Sequence, residues 1–276
     1  MININKELPP LAAKYGRPLN SQTKGVDQIL EDFSSLDRIA VALASEEQNN
    51  VALTGPAGCG KTATVRKLSA LLEEGRYTRL SGRRVVELNI DLINQNRDRR
   101  DLLFKHILDE AEYYSIIIYV DEAHRLCENE GPTNLMNTLK PYITNGGISM
   151  LISTTSEEFK LYIARDRAME RRFQPVVLKE PGHERLLQIL ERVARVRYPR
   201  TEITRSAIEE TTRLAALCAP ERAEPARSLE LLHYEVSAAQ INLPAGECVD
   251  MIDAKDARRA AALKTDNAVG SWNYDA

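Results

Sequence analysis

Eight residues constrain this chain more than any others: Gly55-Pro56-Ala57-Gly58-Cys59-Gly60-Lys61-Thr62, which follow the short apolar run Val51-Ala52-Leu53. Strand, glycine-rich turn and helix in that order form a phosphate loop. With no Cβ in the way, the backbone N–H groups of such a turn can curl around phosphate oxygens. Lys61 then reaches the β- and γ-phosphates and Thr62 holds Mg²⁺. The helix that begins there, with Ala63 in its first turn, points its positive end at the anion. The expected cofactors are ATP and Mg²⁺, and residues 55–63 are the expected nucleotide-binding segment.

The chain has 276 residues, enough for one large domain or a good core with a smaller satellite. No run approaches the roughly 20 apolar residues of a membrane span, and Met1-Ile2-Asn3-Ile4-Asn5 lacks the charged-then-apolar opening of a signal peptide. A cytoplasmic location without membrane insertion is the expectation. Cys59, Cys127, Cys218 and Cys248 are spaced for neither a zinc site nor a disulfide framework. The formal net charge of -3 argues against a broad nucleic-acid surface.

Along the chain, residues 1–25 read as an N-terminal arm. Asp27 to Glu46 keeps Ile29, Leu30, Phe33, Leu36, Ile39, Ala40 and Leu43 at helical spacing. Strands are expected over 84–89, 115–120, 147–153 and 172–178, besides the one entering the phosphate loop. Helices are expected over 62–74, 99–113 and 133–142. The run Ser115-Ile116-Ile117-Ile118-Tyr119-Val120 is apolar throughout, as a strand buried on both faces requires. The alternation predicts an α/β domain over 26–180, a mostly parallel sheet with helices on both faces. From 181 to 276 the pattern predicts a small all-helical lid, with helices over 183–196, 204–218, 228–240 and 254–263, the last capped by Asp253.

Asp121-Glu122 directly follows the apolar strand. Asp121 is placed to bind the water shell of Mg²⁺, and Glu122 to orient and polarise an attacking water. Thr154-Thr155 end the next strand, where a hydroxyl can hold that water or the γ-phosphate. Arg171-Arg172 precede the last strand and suit projection into a neighbouring copy, where a guanidinium neutralises charge on the γ-phosphate.

Taken together these segments resemble an AAA+ ATPase module, specifically the first ATPase module of Clp-type unfoldases and disaggregases, over nearly the whole chain. Lys14-Tyr15-Gly16-Arg17-Pro18-Leu19-Asn20 resembles that module's "Lys-Tyr-x-Arg-Asp-Leu-Thr" opening, and Asn49-Asn50-Val51 its paired asparagines. Tyr119 to Leu126 is similar to its second nucleotide motif, and Ser153 to Phe159 to the strand end that follows. Arg167-Ala168-Met169-Glu170-Arg171-Arg172-Phe173-Gln174-Pro175-Val176 is similar to its arginine-finger segment. The resemblance implies Thr155 as the first sensor, Arg171 and Arg172 as fingers acting on a neighbour, and Arg227 as a lid residue touching nucleotide. It also implies Asn50 as a link from neighbour or substrate to Glu122.

The sequence departs from that family where polypeptide would be gripped. A Gly-Ala-Lys-Tyr-Arg-Gly-type loop is replaced by residues 91–100, shorter and without an aromatic, and a second loop is reduced to Cys127–Pro132. No second ATPase module is recognisable. The implied activity is ATP hydrolysis by a homo-oligomeric ring or spiral, expected to be hexameric, that remodels or assembles a protein partner. A competing reading is a loader or regulator acting on nucleic acid. It rests on Arg83, Arg84, Arg97, Arg99 and Arg100 and is opposed by the interleaved Asp91, Asp98 and Asp101.

Overall fold

The computed structural model describes residues 8–19, 33–96, 98–127 and 134–265. Ile29 and Leu30, Arg97, and most of the reduced second loop lie outside these. The chain divides into two compact units: residues 1–55 with 61–178, and residues 56–60 with 179–276.

The first unit is built on a six-stranded sheet: β1 (Gly16–Pro18), β2 (Asn50–Thr54), β3 (Val85–Leu88), β4 (Ile117–Val120), β5 (Ser149–Thr154) and β6 (Phe173–Val177). Their spatial order is β1-β3-β4-β5-β2-β6. All pairings are parallel except that of β1 with β3. Strands β2, β4 and β5 are buried at every position, which explains their uninterrupted apolar runs. Helices α1 (Pro10–Tyr15), α2 (Phe33–Leu43), α3 (Lys61–Glu73), α4 (Ile90–Asn94), α5 (Arg100–Tyr113), α6 (Leu135–Thr144), α7 (Ser156–Glu158) and α8 (Arg167–Glu170) complete the unit. Phe104, Ile107 and Leu108 of α5 join Leu139 and Ile143 of α6 in one core with Ile118 and Ile152 of the sheet.

Two expectations are corrected here. Part of the segment read as an arm forms α1 and β1, and β1 closes the sheet edge as an antiparallel strand. Gly16 makes that close approach possible: a Cβ there would lie 2.7 Å from Val86 Cγ1 and 2.9 Å from the Ala12 carbonyl. The segment 91–100, read as a loop, begins inside α4, which Asn89 caps by accepting from Leu92 N at 3.0 Å.

The second unit is predominantly helical: α9 (His183–Arg197), α10 (Arg205–Cys218), α11 (Ala226–Gln240) and α12 (Ala254–Lys264). Asp253 and Asp256 form a reciprocal capping box at the start of α12. The unit is not purely helical, because β7 (Glu202–Ile203) pairs in parallel with β8 (Met251–Ile252). Two residues per strand carry too little periodicity to be read from sequence. All four cysteines are free thiols.

Inside this unit Glu235 of α11 is fully buried. Thr211 Oγ1 lies 2.7 Å from both Ala207 O and Glu235 Oε1. A hydroxyl has one proton, so it cannot donate to both. A protonated Glu235 donating to Thr211 satisfies the pair. Burial, reinforced by the charge of Asp256, pushes this carboxyl up to about 8 despite the Thr211 contact. The folded form therefore holds a proton that the unfolded chain releases near pH 4.5. Stability from this group is complete below that value and is lost as pH rises towards 8, by up to about 1.4 kcal/mol per pH unit. Glu235→Gln is expected to remove that decline. Urea midpoints at pH 6 and pH 8.5 should differ less for the variant than for the parent chain.

Candidate nucleotide site

The parallel strands bring their carboxyl ends to one edge. In register, Thr54 of β2 pairs with Thr154 of β5, and Val120 of β4 with Ile152 of β5. Gly55, Asp121 and Thr155 therefore all leave the sheet on the same side. The turn after β2 is held by glycines at φ +158° (Gly55), +92° (Gly58) and +97° (Gly60), backbone that side chains with a Cβ rarely adopt. A Cβ built on Gly60 meets nothing within 4 Å, whereas one on Gly58 would lie 2.7 Å from Ala226 Cβ. By its contacts Pro56–Gly60 belongs to the helical unit, with Ala223 N donating to Ala57 O at 3.2 Å. Cys59 is buried within the turn, while Pro56 and Ala57 are exposed.

Lys61 opens α3, and its buried Nζ donates to Gly55 O at 2.9 Å. One residue on, Thr62 Oγ1 donates to Asp121 Oδ2 at 2.8 Å, and Ala63 follows half-buried. The other oxygen of Asp121 accepts from Ser153 Oγ and, at 3.1 Å, from Glu122 N. Ser153 Oγ in turn lies 2.9 Å from the Tyr119 hydroxyl. Burial, then the Asp121 charge, raises the Tyr119 phenol far above its usual range, so it stays neutral. Asp121 thus sits in a set of hydroxyl groups drawn from three elements.

Glu122 has φ +53°, the left-handed region, and its side chain is 47% exposed. Strain of this kind costs about 1–3 kcal/mol and is commonly held at functional positions. His124 Nδ1 lies 3.5 Å from Glu122 Oε2 and 3.5 Å from Glu158 Oε1. Glu158 Oε2 accepts from Thr154 Oγ1 at 2.8 Å and Thr155 N at 3.0 Å, and Glu158 N donates back to Thr155 Oγ1 at 3.1 Å. Burial opposes ionisation of Glu158, but these hydrogen bonds outweigh it and hold the carboxyl below its usual range. Beside Asp121 and Glu122 opens a cavity of about 490 Å³, whose lining includes Lys14, Arg17, Asp91 and Arg125.

Three of the expected residues lie elsewhere. Asn50 begins β2, at the opposite end from the glycine-rich turn, and is fully buried. Its Oδ1 accepts from Met150 N at 2.9 Å and its Nδ2 donates to Asn49 Oδ1 at 3.2 Å. Both ends of the amide are thus engaged at the end of the sheet away from Glu122. Arg171 and Arg172 precede β6, whose first residue Phe173 pairs with Asn50, so they too sit at the far end of the sheet from their own Lys61. Arg171 is exposed.

In the helical unit, Arg227 is in the first turn of α11. It donates from Nε to Glu224 Oε1 at 2.6 Å and faces Glu180 Oε2 at 3.8 Å. Sequence reasoning missed Ser153, Tyr119 and Glu158. The spacing Thr155-x-x-Glu158 is a capping-box signature and could have flagged Glu158.

Comparison with known proteins agrees with this geometry. The ATPase family associated with various cellular activities (AAA) matches residues 51–180. A probable ATP-dependent Clp protease ATP-binding subunit of Chlamydia pneumoniae is 26% identical over 98% of this chain and 33% of its own length. The chaperone protein ClpB of Propionibacterium freudenreichii is 30% identical over 83% of the chain and 28% of its own length. A closed-state Hsp104 complex with ATPγS and FITC-casein superposes with a TM-score of 0.81 at 25% identity, over 92% of this chain and 45% of that one. The chain thus spans about a third of the length of these curated relatives. Residues 51–180 thus match the AAA family, and by sequence and fold the chain is closely related to the AAA+ ATPase modules of the Clp and Hsp104 proteins.

Proposed function

We propose that the protein hydrolyses ATP at this site, assembles with copies of itself, and uses the cycle to remodel or assemble a protein partner. Membership of the family implies ATP-hydrolysing activity. The observation that carries the reading to these residues is the 2.8 Å contact between Thr62 and Asp121, flanked by Lys61 and Glu122 on one sheet edge.

The residues suit the groups they would hold. A threonine hydroxyl beside a carboxylate offers the hard oxygen ligands that Mg²⁺ takes, so Thr62 and Asp121 are the proposed metal residues. Open space in front of Gly60 and the backbone of Gly55–Gly60 suit a triphosphate, with Lys61 and Ala63 completing the cradle. Held by Thr62 and Asp121, Mg²⁺ would supply positive charge to offset that of the phosphates. Glu122, bent out of the strand line by its left-handed backbone, orients a water and accepts its proton. Thr155 uses its oxygen to cap α7 and keeps its own hydroxyl proton to donate, whereas Thr154 spends its proton on Glu158. That division favours Thr155 as the sensor.

Arg171 and Arg172 sit too far along the sheet to serve their own Lys61, and they act on a neighbouring copy as guanidinium groups on the γ-phosphate. Arg227 acts from the helical unit after exchanging Glu224 or Glu180 for nucleotide. A ring or spiral follows, hexameric in our reading, and the resident compartment is the cytoplasm; among the described residues no helix is long and apolar enough to cross a membrane. A protein partner is favoured because the similar Hsp104 structure contains casein. The basic segment that would follow nucleic acid is weakened: Arg100 is buried and paired with Asp101 at 3.0 Å, and Arg83 donates to Ser149 at 2.8 Å.

Glu122→Gln is expected to lower phosphate release by on the order of 10²–10⁴-fold while ATP affinity is retained, as read by fluorescent-nucleotide titration. Arg171→Ala with Arg172→Ala should lower turnover by on the order of 10³-fold or more, again without loss of binding. Mixing the two inactive proteins tests the shared site directly. Activity should return, because some sites then combine Glu122 from one copy with both arginines from the next. A mixture that stays silent, although the copies co-assemble, refutes action across copies.

A further inference from the structure

We propose that His124 is a positioning residue that links Glu122 to the turn bearing Thr154 and Thr155, through Glu158. The inference rests on the reading of Glu122 as the water-activating base. Its ground is an orphaned atom. His124 Nδ1 is shielded from solvent and has no hydrogen-bond partner among the described residues. It is equidistant from two carboxylate oxygens, 3.5 Å from Glu122 and 3.5 Å from Glu158. At that separation neither contact is a formed hydrogen bond, and a small movement of either carboxylate completes one.

The chemistry gives the cluster a defined order. The single N–H on Nδ1 goes to Glu122 and fixes that carboxylate for the attacking water, while Glu158, equally near, holds the imidazole in place. Without the imidazole, or without the Glu158 charge that holds it, Glu122 is left unplaced. Glu158 is suited to sense the phosphate side, because its other oxygen already accepts from Thr154 Oγ1 and Thr155 N. Any displacement of the Thr155 turn by nucleotide therefore moves the Glu158 oxygen that faces His124. The imidazole itself is held from behind: it lies on the short helical turn Ala123–Cys127, with the Tyr162 ring centroid 6.1 Å away. Arg125 on the same turn is fixed by Asp91 at 2.7 Å. The base, the sensor turn and the imidazole form one relay, in which His124 acts through the two carboxylates.

The test uses the full chain, with steady-state ATPase kinetics, fluorescent-nucleotide binding and thermal midpoints. His124→Ala should lower kcat on the order of 10-fold with KM and nucleotide affinity unchanged. His124→Asn, whose amide places an N–H close to that of Nδ1, should recover most of the loss. Glu158→Gln should reproduce the defect. The double variant His124→Ala with Glu158→Gln should be no slower than either alone, because both break the same relay. An unchanged kcat in His124→Ala overturns the inference, as does an additive double variant. A fall in affinity and thermal midpoint alongside kcat, not rescued by asparagine, assigns His124 to folding instead and equally overturns it. Glu122→Gln separates the two levels. If that variant turns over like the parent chain, the reading of Glu122 fails and takes the relay with it. If Glu122→Gln is blocked while His124→Ala is not, the relay alone is wrong.

Discussion

Parallel pairing of β4, β5 and β2 is the constraint on which the rest of the structure depends. It sends three chain segments out of the sheet at one edge, and each carries a different polar function: the glycine-rich turn after β2, Asp121-Glu122 after β4, and Thr154-Thr155 closing β5. Complete burial of these strands makes their register strict, since a slip by one residue would exchange the side chains on the two faces. The distance from Thr62 to Asp121, residues far apart in the chain, is thus set by backbone hydrogen bonds rather than by the two side chains.

The same ladder separates as well as gathers. Because β6 runs parallel to β2 and begins opposite Asn50, residues just before it are carried to the amino-terminal edge, away from Lys61. Arg171 and Arg172 are held there by geometry, which is the physical basis for proposing that they act on a neighbour's site. At the carboxyl edge the crowding is polar. Thr62, Ser153 and Tyr119 supply hydroxyls in and around the Asp121 carboxylate, and Glu158 collects the Thr154 hydroxyl and Thr155 amide. These contacts order carboxylates that would otherwise repel one another within a small volume.

The helical unit follows different physics. Its stability comes from apolar faces such as Leu214, Ala215, Leu231, Ala257 and Ala260, packed closely because so many are alanine. Glu235 is set into that interior with one oxygen unpartnered, an arrangement that only protonation makes tolerable. A buried acid of this sort makes the unit lose stability as pH rises, whereas Glu210, held at about 2 by Arg213 and Arg258, makes it lose stability as pH falls.

Much of this was determined by the residues in order. The glycines, Lys61 and Thr62 specify their turn locally because positive φ and a free approach to phosphate need residues without a Cβ. The apolar run before Asp121 specifies a doubly buried strand, and Asp253 with Asp256 specifies the start of α12. What only the tertiary structure decided involves partners distant in sequence. Asn50 has an amide whose partners, Met150 N on β5 and Asn49, only the strand pairing supplies. Residues 10–18 looked like a loose arm, yet Gly16 lets them close the sheet. His124 looked like part of a short motif, and only packing set its nitrogen between Glu122 and Glu158. Local conformational preference is written residue by residue, whereas a hydrogen bond across the sheet depends on which strands become neighbours, and no single segment carries that information.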